Sequence, residues 1–201
     1  HALMFFARGQ PVVYYGDEQG FTGDGGDKDA REDMFANSVP SYADNDLIGT
    51  DETSADDNFD RDHPLYETLG ELAKLSRQHP ALRSGAQIHR TSSDAPGVYA
   101  FSRVDRDERV EYVVALNNSE TAATADVATF SDEGVRYKLV SRKLAPDESV
   151  PDRVTTGSGG TLSLTVPPLG VVIYQATQPV PDSEAAPGIA ISSLQHGDTV
   201  A

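Results

Sequence analysis

The hydrophobic period of this chain changes from helical to alternating at Gly85. Before that point Leu65, Leu69, Leu72 and Leu75 recur at helical spacing behind Asp62-His63-Pro64, where proline suits a first turn. After it apolar residues alternate, over Val98 to Val104, Val110 to Asn117, Val135 to Arg142, Thr161 to Val166 and Leu169 to Ala176. A two-residue period turns one face of each strand inward, and Asp, Gly and Pro turns separate the runs. The second half is therefore predicted to be an antiparallel sandwich, preceded by a helix that stops at His79-Pro80.

The first sixteen residues follow a different rule. Ala2-Leu3-Met4-Phe5-Phe6-Ala7 reads as a helix, ended by Gly9 and Pro11. Val12-Val13-Tyr14-Tyr15 is a continuous apolar run closed by Gly16, Asp17 and Glu18, which predicts a strand buried on both faces. Such strands belong to parallel sheets covered by helices, so other strands are expected beside it. Gly20 to Arg61 is too long and polar for an ordinary connection and reads as a functional loop. With no initiator Met and no cap ahead of the first helix, the chain is expected to be cut from something longer.

Composition narrows the partners. A formal charge of -16, from 32 acidic and 16 basic residues, would repel nucleic acid and an anionic membrane surface. No apolar run approaches the ~20 residues of a spanning helix. The absence of cysteine removes disulfides and thiol chemistry. Gln178 to Gly188 has the composition of a linker, and Ile189, Ile191 and His196 to Val200 resemble the start of an immunoglobulin-like module.

Gly9-Gln10-Pro11-Val12-Val13-Tyr14-Tyr15-Gly16-Asp17-Glu18 resembles the eighth barrel strand of glycoside hydrolase family 13, the α-amylase family. Arg31-Glu32-Asp33-Met34-Phe35 is similar to that family's Arg-x-x-Met-aromatic segment, and the helix ending in His79-Pro80-Ala81-Leu82-Arg83-Ser84-Gly85 follows in the family's order. Val166-Pro167-Pro168-Leu169-Gly170, followed by Val171 to Tyr174, resembles the close of the family's C-terminal domain.

The resemblance implies an α+β fragment: the last β/α unit of a TIM (β/α)8 barrel over 1–85, then an antiparallel β-sandwich over 86–178. A linker over 179–188 and the start of a further module over 189–201 complete the expected organisation. It also implies a secreted retaining hydrolase of starch-type α-glucans, whose partners are the polysaccharide and the remainder of its own barrel. Retaining chemistry needs two carboxylates about 5 to 5.5 Å apart. In the family these, and a third, lie on strands upstream of His1, so no catalytic residue is expected here and the chain alone should be inactive. A transglycosylase or isomerase of the same family, or a non-catalytic starch-binding sandwich, are the alternatives; the lack of Trp weakens the last.

Residues 16 to 62 would face the active site, at the C-terminal ends of the barrel strands. Asp17 and Glu18, as neighbours on an extended segment, point to opposite faces and cannot flank one bond. They read as a rim for sugar hydroxyls or as a structural strand-end pair. The Arg31 guanidinium could grip a carboxylate or a hydroxyl, and Tyr15 could stack on a sugar or serve the core. Asp24, Asp27 and Asp29, with Asp33, offer hard oxygen ligands suited to calcium, although their spacing is not that of an EF-hand; a solvated acidic loop is the other reading. His63 and His79, each before a proline, read as capping residues.

Overall fold

A computed structural model describes residues 1–181. The expected linker beyond 181 and the further module at 189–201 lie outside the described residues. The first part holds α1 (Ala2–Phe6), a single 3-10 turn at Asp17–Gln19, α2 (Pro40–Ala43), α3 (Pro64–Gln78) and α4 (Pro80–Ser84). Eight strands follow: β1 (Ala86–Ser92), β2 (Val98–Val104), β3 (Val110–Asn117), β4 (Ala123–Ala128), β5 (Arg136–Leu139), β6 (Arg153–Thr155), β7 (Thr161–Val166) and β8 (Val171–Pro179). No helix among the described residues is long and apolar enough to cross a membrane.

α3 forms where the leucine stripe places it. Pro64 occupies the first turn, and His63 caps it by accepting the Leu65 amide on Nδ1 at 3.1 Å. Leu69, Leu72 and Leu75 are buried, and His79 ends the helix ahead of Pro80.

The strands make a six-stranded antiparallel sheet in the order β1-β2-β3-β8-β5-β6 and a two-stranded sheet of β4 and β7. Alternation along β3 explains how the layers stack. Val113 and Ala115 join Leu162, Leu164, Val172 and Tyr174 in the core between the sheets. Tyr112 and Val114 face the other way and pack with Phe6, Leu72, Leu75 and Leu82 of the helices. The large sheet is thus covered on both faces, by the small sheet and by α1, α3 and α4.

Polar ties cross the helix–sheet boundary. Buried Arg103 donates from Nε to the Ala81 carbonyl at 3.2 Å, and His79 Nδ1 lies 3.0 Å from the Tyr112 hydroxyl. Inside the sandwich, Glu111 is fully buried. It accepts from Arg90 at 2.7 Å, the Tyr137 hydroxyl at 2.9 Å, the Phe130 amide at 2.8 Å and Ser102, so its charge is paired and its lone pairs are used.

One expected element stands unpaired among the described residues. Val12-Val13-Tyr14-Tyr15 is extended but belongs to no sheet among the described residues, and its side chains are 70%, 42%, 61% and 45% exposed. A strand buried on both faces needs partners along both edges to satisfy its amides and carbonyls, and the eight strands here all pair with one another. Tyr14 and Tyr15 do not split between two faces either: their rings lie 4.6 Å apart by centroid, both largely in solvent.

Candidate functional site

The segment from Gly16 to His63 leaves the extended run and returns to α3 as a loop closed at its base by one side chain. Gln19, 2% exposed, donates from Nε2 to the Asp60 carbonyl at 2.7 Å and accepts the Asp60 amide at 3.0 Å. The amide thus mimics a strand pair across the neck of the loop. Next to it the Ile48 amide bonds the Gly20 carbonyl at 2.9 Å, with Gly20 at φ +77°. A Cβ there would sit 2.4 Å from the Ile48 carbonyl oxygen, so only glycine fits.

Asp17 and Glu18 serve the backbone. Asp17 Oδ2 accepts the Tyr14 amide at 3.0 Å and lies 3.6 Å from His1 Nε2, while Glu18 Oε2 accepts the Gly16 amide at 3.1 Å. Each stabilises the turn out of the extended run.

Arg31 does not reach them. It pairs with Asp27 at 2.7 Å, four residues earlier, with both side chains mostly in water, a contact worth little to stability. Among the described residues no three His, Asp or Glu side chains are gathered so as to hold a metal ion.

Tyr15 does line a recess. Tyr14, Tyr15, Asp17, Phe21 and Glu32 are among the walls of a cavity of about 90 Å³, and Val13, Tyr14, Tyr15, Glu18, Tyr66 and Leu69 border an open hollow of about 520 Å³. The Tyr15 phenol is held above its usual pKa, by desolvation first and then by Tyr14 and Asp33.

Glu32 was not singled out by sequence reasoning, though it sits inside the Arg31 to Phe35 motif. It is 2% exposed; Oε1 accepts from Asn45 at 2.9 Å, and Oε2 has no protein partner. Burial raises its pKa, the Asn45 bond opposes this, and Asp24 and Asp44 push it further up. Nothing in its local sequence distinguishes it from the exposed acids around it; only the packing of the loop does.

Chemically, the recess offers tyrosine ring faces, hydroxyls and carboxylate oxygens, groups suited to binding a hydroxylated ligand. Asp17 and Glu18 each spend an oxygen on a backbone amide.

Comparison with known proteins agrees with this organisation. Residues 90–177 match the α-amylase C-terminal all-β domain family. The chain is 42% identical over 197 residues to an α-amylase of Streptomyces lividans, covering 98% of this chain and 21% of that protein. It is 26% identical to a β/α-amylase of Paenibacillus polymyxa, over 84% of this chain and 11% of the relative. The chain thus spans about a fifth or less of the length of these two curated relatives. Among solved structures, an Anoxybacillus α-amylase superposes with a TM-score of 0.61 at 22% identity, over 88% of this chain and 31% of that one. A three-domain cyclomaltodextrin glucanotransferase gives 0.57 at 26% identity, over 87% and 30%. Coverage of this extent reaches past the sandwich into the helices and loop, which therefore share the fold of those structures. Residues 90–177 belong to the α-amylase C-terminal all-β domain family, and the chain as a whole matches the C-terminal portion of glycoside hydrolase family 13 proteins.

Proposed function

We propose that the intact protein is a retaining hydrolase of starch-type α-glucans, and that this chain supplies the last β/α unit of its barrel together with the sandwich that braces it. The observation that carries this reading is the 42% identity to an α-amylase across 98% of the chain. The exposed run Val12 to Tyr15 then becomes the eighth barrel strand, paired by strands from elsewhere in the protein. The catalytic carboxylates come from those other strands, as the resemblance to the α-amylase family implies. A polymeric substrate of this size is met outside the cell, so the enzyme acts as a secreted protein.

The test is expression of the full-length protein and, separately, of residues 1–201, with amylose and pullulan as substrates. The full-length protein should release reducing ends whose first-formed anomer is α, and the 201-residue chain should release none. First-formed β-anomer would overturn the retaining mechanism; failure to cleave either polymer would overturn the hydrolase reading. Similarity to a cyclomaltodextrin glucanotransferase supports sugar transfer as a second reading, recognisable by cyclic or elongated products.

A further inference from the structure

We infer that Gln19 is a positioning residue: its side-chain amide fixes where the loop over 20–61 stands, and through that loop how tightly the intact protein holds its glucan. Three ties converge on the four residues from Gln19 to Thr22. Gln19 donates from Nε2 to the Asp60 carbonyl at 2.7 Å and accepts the Asp60 amide on Oε1 at 3.0 Å. The Gly20 carbonyl accepts the Ile48 amide at 2.9 Å, and the Thr22 hydroxyl donates to the Asp46 carbonyl at 3.2 Å. Both later passes of the loop, at 46–48 and at 60, thus hang on one short stretch. Of these ties only that of Gln19 reaches the exit of the loop.

The residue type follows from the backbone around it. Asp17–Gln19 is a 3-10 turn, which offers no extended edge on which Asp60 could pair. A primary amide carries a donor and an acceptor side by side, as a peptide group does, and so takes the place of that edge. The base of the clamp is firm: the turn packs on α3, and Leu69, Leu72 and Leu75 seat α3 against the sheet. Beyond the clamp, Asp60 Oδ1 accepts the Asp62 amide at 2.9 Å and leads the chain into the His63 cap. Gln19 is 2% exposed and both ends of its amide are engaged, so further protein around the chain only adds cover to a pair already closed.

The consequence for binding rests on the α-glucan reading above. On that reading the loop follows the eighth barrel strand and lies on the substrate face, whereas the carboxylates that break the bond stand on other strands. A loosened loop then weakens the grip on the polymer and leaves the bond-breaking groups where they are. Loss of this kind raises KM and spares kcat.

The experiment measures kcat and KM on amylose for full-length wild type, Q19L and Q19E at about pH 5 and about pH 7.5, with melting temperature alongside. Leucine strands the Asp60 amide and carbonyl, and an ionised glutamate turns a second acceptor toward that carbonyl. Protonated glutamic acid, favoured by burial, has the donor and acceptor of glutamine in the same places. Relative to wild type at the same pH, KM should rise about tenfold in Q19L at both values and in Q19E at the higher one. In Q19E it should return to within about twofold at the lower pH, and kcat should stay within about twofold throughout. Unchanged KM in both variants at the higher pH overturns the inference. So does a fall in kcat that matches the rise in KM together with a lowered melting temperature, or a Q19E defect that is the same at both pH values. If Q19L does not fold, the two pH values of Q19E decide alone. Wild-type protein that leaves amylose intact would instead overturn the functional reading, and this inference with it.

Discussion

Val12-Val13-Tyr14-Tyr15 and Tyr112-Val113-Val114-Ala115 are almost the same four-residue word, yet their fates are opposite. The first is 42 to 70% exposed; in the second Tyr112 is 5% exposed and the other three are fully buried. Both runs are extended and both have the composition of a strand interior. What differs is company: β3 has β2 and β8 along its edges, the small sheet on one face and the helices on the other. A strand's burial is a property of its neighbours, and an apolar run only states that neighbours are needed.

The largest test of that contrast lies beside the buried run. Glu111→Ala should destabilise the chain by about 3–5 kcal/mol in urea unfolding, because it strands the Arg90 charge in the sandwich. A loss under about 1 kcal/mol would mean that the pair is not desolvated as its burial implies.

Val114→Ala should cost about 2 kcal/mol, from lost burial and the cavity left behind. Circular dichroism melts would show it as a clear fall in the midpoint.

Tyr112→Phe should cost about 1 kcal/mol at neutral pH by breaking the bond to His79. Its sign should reverse in alkali. Burial pushes the Tyr112 phenol up to about 12, as it does that of Tyr174. A phenol raised on folding contributes stability that is complete below its unfolded pKa near 10 and is lost as pH rises through about 12. Removing the ionisable group should therefore make the variant less sensitive than wild type between about pH 10 and 12. Equal alkaline denaturation of the two proteins would contradict this assignment.

The smallest effect belongs to the exposed run. Val13→Ala in the 201-residue chain should change stability by less than about 0.5 kcal/mol, whereas in the full-length protein it should approach the cost of the Val114 change. Equal, small effects in both settings would show that Val12 to Tyr15 is not an interior strand of a larger sheet.

Much of the fold was legible along the chain. The β2, β3 and β7 limits coincide with alternating runs, and α3 with its leucine stripe, because burial on one side of a regular element imprints its period. β1 and β6 were not, and they are the two edges of the large sheet. Edge strands carry polar residues such as Gln87, Arg90 and Arg153 and leave little alternation to read. β4, Ala-Thr-Ala-Asp-Val-Ala, was hidden by its small residues. In the candidate site the motif drew attention to the loop's most visible charges. Arg31, Asp17 and Glu18 proved to be occupied locally, while Gln19, Glu32 and Asn58, the acids and amides that the loop buries, carry no sequence signal of their own.

By itself the sequence determined α3 and the strands β2, β3 and β7, the turn between helical and sheet halves at Gly85, and the family to which the pattern is similar. These follow from local periodicity and from residue types that fit one backbone geometry. Tertiary structure decided which apolar run is covered and which acid is buried. Each of these depends on residues far apart in sequence, and on whether water or protein fills the space between them.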